Sequence, residues 1–315
     1  MTSRAPGKLL LSGAYAVLRG APAVVTAVQR YAFADITSPA SVVTPEVRAA
    51  LNDLVADGLL TEAVEAPWFD ASQLRERGRK LGLGSSAAIL VASLWEAISS
   101  LPGYGDRSSL DLRETIFQRA IVAHRKAQGG GSGVDVAAST YGGTMVVRRN
   151  KDELYLEATP LPKGLVIEVY AMPDSASTSE FVAKVLALGE KDPALFDATF
   201  GAQVAASHQA ADALRMEDSG GFLHALRAQH AALLELGRHA GLPIVQPSVE
   251  RLHRTLPEDA CFLPSGAGGG DVSLFVGLES SPPHFRDELR AEGLKALSLS
   301  LDAPGSGLVL EADRG

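Results

Sequence analysis

Lys80-Leu81-Gly82-Leu83-Gly84-Ser85-Ser86-Ala87-Ala88 leads into an apolar run that ends near Ser99, ahead of Pro102-Gly103. Paired glycines followed by small residues and a strong helix leave the first N–H groups of that helix bare. Those groups, with the helix dipole behind them, attract phosphate. The stretch is not a Walker A loop, because no Gly-x4-Gly-Lys-Ser/Thr can be aligned on it. Gly82-x-Gly84-x-x-Ala87 has the spacing of a dinucleotide fingerprint, but residues 73–80 before it are too charged for the buried first strand such a site follows. A helix start capped by Ser85 or Ser86 is the plainer alternative.

Two further glycine-rich segments lie on the C-terminal side. Gly129-Gly130-Gly131-Ser132-Gly133-Val134-Asp135 reads either as a second phosphate-binding turn or as a connection with Asp135 capping a short helix. Gly266-Ala267-Gly268-Gly269-Gly270-Asp271 reads either as a third or as a tight turn before a strand. Lys8, after Pro6-Gly7, would on its own be a solvated lysine. Ser177-Thr178-Ser179-Glu180 has capping-box spacing, and a cap leaves further N–H groups of the same helix end for an anion. Arg148 and Arg149 either add positive charge or decorate a hairpin. The shared phosphate-binding character of the three glycine-rich segments predicts that they converge on one cleft.

The surrounding pattern predicts strands over 9–11 and 23–36, a buried helix over 87–99, and an amphipathic helix over 110–128 with Leu112, Ile116, Ala120 and Ala123 on one side. Residues 144–148 and 154–157 pair as a hairpin around Asn150-Lys151-Asp152. Pro160-Leu161-Pro162-Lys163-Gly164 is the expected hinge between halves. Beyond it come a strand over 165–171, helices near 179–189, 197–216, 220–240 and 248–255, strand again at Phe262 and 272–276, and closing strands over 294–301 and 307–311. Strands and helices mixed in both halves give an α+β or α/β chain, and no fixed-period repeat points to a solenoid.

Composition narrows the function classes. The chain has 315 residues, enough for one large or two modest domains with a core that needs no staple. Its 29 basic against 37 acidic residues give a net charge of −8, which argues against a nucleic-acid or acidic-membrane partner. Cys261 is the single cysteine, which excludes an internal disulfide and a thiolate-rich zinc site. The first residues lead into an apolar stretch too short for a signal core, and the most apolar run, 87–95, is too short to span a bilayer. A cytoplasmic location is the expectation.

The order of the segments carries a resemblance. Pro6-Gly7-Lys8-Leu9-Leu10-Leu11-Ser12-Gly13-Ala14-Tyr15, then the stretch at 82–88, then Gly266-Ala267-Gly268-Gly269-Gly270-Asp271, resembles the GHMP kinases, the superfamily of galactokinase, homoserine kinase, mevalonate kinase and phosphomevalonate kinase. Residues 124–143, residues 174–185 and the Gly78-Arg79-Lys80-Leu81 lead-in are similar to the phosphomevalonate kinase branch. The resemblance implies an α+β, two-domain GHMP-kinase-like fold, with an N-terminal ATP-binding domain over 1–162, a C-terminal domain over 163–315, and the active site in the cleft between them. It implies ATP as donor, Mg²⁺, and a phosphorylated small molecule as acceptor; oligomeric state stays open. Gly82, Leu83, Gly84, Ser85, Ser86 and Ala87 would wrap the ATP phosphates, with Ser86 facing the metal. Asp135 matches the catalytic aspartate of the superfamily and Lys8 its partner lysine. Gly266, Ala267, Gly268 and Gly269 would close over the reacting phosphates, and Tyr15, Lys80, Ser132, Ser177 and Thr178 would bind the acceptor.

Two positions depart from the family pattern. Ala14 stands where many relatives have Glu, and His124 aligns with a metal-binding Glu of mevalonate kinases. A neutral imidazole suits Mg²⁺ poorly, so His124 is read as structural, and Mg²⁺ as resting on ATP oxygens, a serine hydroxyl and water. An acceptor that already carries a phosphate needs no base, so Asp135 is expected mainly to orient Lys8. A kinase of an unphosphorylated alcohol such as mevalonate or homoserine, and the ATP-dependent decarboxylase of the same superfamily, remain the alternatives.

Overall fold

The run after the glycine pair is buried on nearly every side in the computed structural model of the chain, which describes residues 2–61, 65–76, 78–104, 109–151, 153–175 and 177–309. In chain order the elements of the first part are β1 (Ser3–Ser12), β2 (Ala23–Pro39), α1 (Pro45–Ala56), β3 (Pro67–Asp70), β4 (Arg75–Glu76), β5 (Arg79–Lys80), α2 (Ser85–Ser99), α3 (Ser109–Gln128) and α4 (Val134–Tyr141). There follow β6 (Thr144–Asn150), β7 (Glu153–Ala158), β8 (Val166–Ala171), α5 (Thr178–Lys191), α6 (Pro193–Arg215), α7 (Ser219–Ala240) and α8 (Pro247–Arg254). The last are β9 (Ala260–Pro264), β10 (Val272–Gly277), α9 (Pro283–Ala291), β11 (Lys295–Leu297) and β12 (Gly307–Leu308). Two compact units emerge, each assembled from separated stretches of chain: residues 1–9, 26–143 and 300–315 in the first, residues 10–25 and 144–299 in the second.

In the first unit α2 is the centre of the core. Ala87, Ala88, Leu90, Val91 and Ala92 are fully buried, and each such Leu or Val contributes about 1.5–3 kcal/mol. Ser3 on β1 donates its hydroxyl to Ala92 O at 2.9 Å, tying strand to helix. The predicted stripe of α3, Leu112, Ile116, Ala120 and Ala123, is the face it buries, and His124 joins that face. On the flank of that face, Lys126 pairs with Asp53 of α1 at 2.8 Å and Arg119 with Asp57 beyond its end. β1 pairs antiparallel with β12, Ser3 opposite Leu308, and β2 with β3, Phe33 opposite Asp70.

β1 is longer than the 9–11 expected because it runs straight through Pro6-Gly7, a pair that suggests a turn. Helix α1 went unpredicted although its start is legible: Thr44 caps it by accepting from Val47 N–H at 3.3 Å, and Pro45 occupies the first turn. The charged lead-in at 73–80 forms a 3-10 turn and the small β4–β5 hairpin rather than a buried strand, with Arg77 outside the described residues.

The second unit holds an antiparallel sheet in the order β11-β8-β10-β9. Val272 lies opposite Ala171 and Ser273 opposite Pro264, so β9 and β10 are a hairpin whose connection is the third glycine-rich segment. Four expected helices appear as α5 to α8; α9, which begins at a proline, was not predicted. Phe262, Phe275 and Phe285 are buried where α9 meets the sheet, with ring centroids 5.4 and 5.7 Å apart. His230 and His253 stack at 3.7 Å, and burial pushes them down to about 3 and about 4, so both sit neutral between α7 and α8. The β6–β7 hairpin pairs as expected; its turn residue Asp152, Ala176 before α5, and residues 310–311 of the predicted last strand lie outside the described residues. The first closing strand is confined to β11. Among the described residues no helix is long and apolar enough to cross a membrane.

Candidate active site

Gly7 and Lys8 of β1 carry the loop that precedes α2. Lys8 N–H donates to Leu83 O at 2.9 Å, and its ammonium Nζ donates to Gly82 O at 3.2 Å. A Cβ at Gly7 would lie 2.8 Å from Leu83 O, which is why the strand has glycine where the loop backbone crosses it. Gly84 takes the left-handed conformation, φ 74°, at the cap position of α2. A Cβ there would lie 3.0 Å from Lys8 Cγ and 3.6 Å from Asp135 Cβ. Glycine therefore brings the loop, the lysine and the aspartate within one side chain's width of each other.

The serine-cap alternative does not hold: Gly84 is the cap and no side chain caps α2. Helix α4 starts the same way, at Gly133 with φ 77°, so Asp135 lies inside its first turn rather than at its cap. Ser132 reaches the Val134 N–H only at 3.5 Å. The N-terminus of α2, which no side chain caps, the start of α4 and one ammonium thus gather at the same place, the arrangement that attracts a polyphosphate. Within the loop, Ser85, Leu83 and Ala87 point inward and are buried, so their side chains pack. Ser86 is the half-buried hydroxyl of the pair and the one open to a ligand. Ser86→Ala should weaken Mg·ATP-dependent turnover with the fold retained; unchanged activity across a Mg²⁺ titration would count against a metal role for this hydroxyl.

Asp135 is the electrostatic centre. Burial is the largest influence on its carboxyl and opposes ionisation. The charge and hydrogen bonding of His124, the charge of Lys8, and the Val136 N–H, which donates to Oδ1 at 3.0 Å, together outweigh it and hold the group far below the usual carboxylate range. His124 Nε2 lies 3.4 Å from Asp135 Oδ2. The sequence reading of His124 as structural does not anticipate this contact with the candidate catalytic aspartate. Helix α3, the 129–133 connection and α4 fold back on each other, and a sequence separation of 11 residues does not announce that contact. Glu46 on α1, also unsuspected, is 6% exposed and accepts from Gln128 Nε2 at 3.1 Å.

The third glycine-rich segment belongs to the second unit and is pinned along its length. Gly269 N–H donates to Ile244 O at 3.0 Å, Gln246 Nε2 donates to Gly269 O at 2.7 Å, and Asp271 N–H donates to Asp174 O at 3.0 Å. Tyr15, assigned to the acceptor by the resemblance, is 4% exposed and donates its hydroxyl to Ala267 O at 2.5 Å; here it anchors this loop. Ser177 caps α5 by accepting from Glu180 N–H at 3.4 Å. Only half of the capping box forms, since the Glu180 carboxylate pairs with Lys184 at 2.7 Å instead of turning back. Ser177 and Thr178 are exposed, as is Lys80 on β5. Arg148 and Arg149 lie on the hairpin strand β6, and Arg149 donates to Lys151 O at 2.8 Å. Among the described residues no three His, Cys, Asp or Glu side chains form a metal-holding group.

Residues 74–143, which contain the cradle, His124 and Asp135, match the GHMP kinases N terminal domain. Over 94% of its length the chain is 28% identical to a phosphomevalonate kinase of Streptomyces sp. (strain CL190), covering 96% of that protein. It is 29% identical to a mevalonate kinase of Archaeoglobus fulgidus, again over 94% of this chain and 99% of the other. The fold superposes on Streptococcus pneumoniae phosphomevalonate kinase in complex with phosphomevalonate and AMPPNP, with a TM-score of 0.75 at 17% identity, covering 96% of this chain and 99% of that one. The chain thus carries a GHMP kinases N terminal domain match over 74–143 and is similar along nearly its whole length to a phosphomevalonate kinase and a mevalonate kinase.

Proposed function

We propose that the protein is a cytoplasmic, ATP-dependent kinase of a phosphorylated small molecule, converting mevalonate 5-phosphate to mevalonate 5-diphosphate in isoprenoid precursor synthesis. The observation that carries this reading is the state of Asp135. Its carboxylate lies 3.4 Å from His124 Nε2, and the charges of His124 and Lys8 favour its ionised form, which weakens it as a proton acceptor. An alcohol acceptor must lose a proton on attack. A phosphomonoester, with a second pKa near ~6, is already a dianion at neutral pH and needs no base.

The donor fits the cradle: Gly84 leaves a space a Cβ would fill, and the uncapped start of α2 offers N–H groups to phosphate oxygens. Mg·ATP supplies the γ-phosphoryl group and part of the charge neutralisation. Ser86 is the hydroxyl we assign to the metal, and the remaining metal ligands would be nucleotide oxygens and water. Lys8 offsets the repulsion between donor and acceptor phosphates, and Asp135 orients Lys8. An acceptor phosphate oxygen forms the new bond to the γ-phosphorus as the bond to the β–γ bridging oxygen breaks, leaving ADP; no proton leaves the acceptor. We assign nucleotide binding to the part of the chain before residue 162 and acceptor binding to Ser132, Ser177, Thr178, Lys80 and the 266–269 loop.

The second reading, an alcohol acceptor, is favoured by the 29% identity to a mevalonate kinase. ADP release by the purified protein on mevalonate 5-phosphate, mevalonate and homoserine, with CO₂ followed in parallel, separates these. Rapid ADP release confined to mevalonate 5-phosphate, without CO₂, is the expected result. Preference for free mevalonate, or CO₂ evolution, would overturn it.

A further inference from the structure

His124 has no task in the transfer as described, yet it is 2% exposed and its Nε2 lies 3.4 Å from Asp135 Oδ2. The ionisable groups acting on it are Asp135 from α4, Glu46 from α1 and Arg125 from its own helix. Neither ring nitrogen makes a well-aligned hydrogen bond among the described residues, so the approach of Nε2 to Asp135 is an ion-pair contact; a Cβ on Gly131 would lie 4.0 Å from Nδ1, so the 129–133 connection passes over that edge of the ring. Burial, the largest influence, disfavours the imidazolium, but the two carboxylates outweigh burial and Arg125 and raise its proton affinity above the ordinary value.

A carboxylate paired only with Lys8 would cancel much of the lysine's field at the phosphates. A carboxylate shared with a second cation cancels less. We propose that His124, as an imidazolium backed by Glu46, is a positioning residue that occupies Asp135 Oδ2 from the buried side and so leaves the charge of Lys8 available to the phosphates. This inference rests on the phosphoryl-transfer reading of the site. It also supplies a pH limb: as the pH rises through the deprotonation of His124, Asp135 turns wholly to Lys8 and kcat/KM falls.

Two measurements test it. The first is an NMR titration of the histidine rings in the ligand-free, full-length protein, with the His124 signal identified by its absence in His124→Gln. The midpoint should lie above the ordinary ~6.5, and it should fall in both Asp135→Asn and Glu46→Gln. A midpoint at or below the ordinary value, or one that Asp135→Asn does not move, overturns the proposal. The second is the pH profile of His124→Gln, which keeps a donor at the reach of Nε2 but no charge. Near neutral pH it should lose on the order of tenfold in kcat/KM, less than the 10²- to 10³-fold typical of a group that meets the transition state directly. Its alkaline limb should disappear while the acidic limb of the acceptor phosphate stays. A variant that keeps both limbs and full activity overturns the proposal. If no acceptor is turned over at all, the kinase reading fails, and the titration still decides the coupling of His124 to Asp135.

Discussion

Lys8→Met should lower turnover by on the order of 10²- to 10³-fold, while Asp135→Asn should keep a larger residual activity on mevalonate 5-phosphate. The ordering follows from what each side chain does. Lys8 supplies a cation where donor and acceptor phosphates must approach, in surroundings that screen charge weakly. Methionine keeps the packing of the stem against Gly84 and removes the charge, including the ammonium's bond to Gly82 O at 3.2 Å. Asp135→Asn removes no base that a dianionic acceptor requires. It does release Lys8 to drift and removes the carboxylate charge that lies 3.4 Å from His124 Nε2, so a measurable loss remains. Turnover of both variants, with circular dichroism to show that each is folded, decides the matter. A dead Asp135→Asn beside a nearly normal Lys8→Met would refute the dianion argument and make an alcohol acceptor with a true general base the better account.

How much of this was readable beforehand depended on whether a residue's role is local. The cradle at 82–87 is legible because its glycines answer to a local demand: left-handed backbone before a helix, and no Cβ where Lys8 passes. Lys8 and Asp135 could be named from the order of motifs, but only the fold shows one backbone crossing, Leu83 O over Gly7, that locks them to the loop. His124 was visible as an anomaly, but its neighbours were not, because Asp135 and Glu46 come from α4 and α1 rather than from its own helix. Tyr15 was assigned by motif to the acceptor, yet its burial and the bond to Ala267 O come from a partner 252 positions away that no local pattern encodes. Helix α9 was not predicted, although the proline in its first turn is a favourable helix start.

Gly268→Ala should destabilise the second unit far more than Gly266→Ala, although both replace a left-handed glycine of one loop. At Gly266, φ 81°, an added Cβ meets nothing within 4 Å, so the cost is the conformational one alone, about 1–2 kcal/mol. At Gly268, φ 76°, the same atom would stand 2.1 Å from Ile244 O and 2.8 Å from Ile244 C. Those are backbone atoms, and they cannot rotate aside. The loop must then lift, which gives up the Gly269 N–H bond to Ile244 O, worth about 1 kcal/mol, and loosens the Gln246 contact to Gly269 O. With the same conformational cost and overpacking of about 1–3 kcal/mol added, the total reaches roughly 3–6 kcal/mol. For a chain of this size that is a fall in Tm of roughly 10 °C, against a few degrees for Gly266→Ala. Thermal unfolding followed by circular dichroism reads the difference directly. Equal shifts would mean that the approach of Ile244 does not hold the loop in solution. Turnover gives the functional half: a loop lifted off Ile244 should raise KM for the phosphorylated acceptor in Gly268→Ala and leave it nearly unchanged in Gly266→Ala.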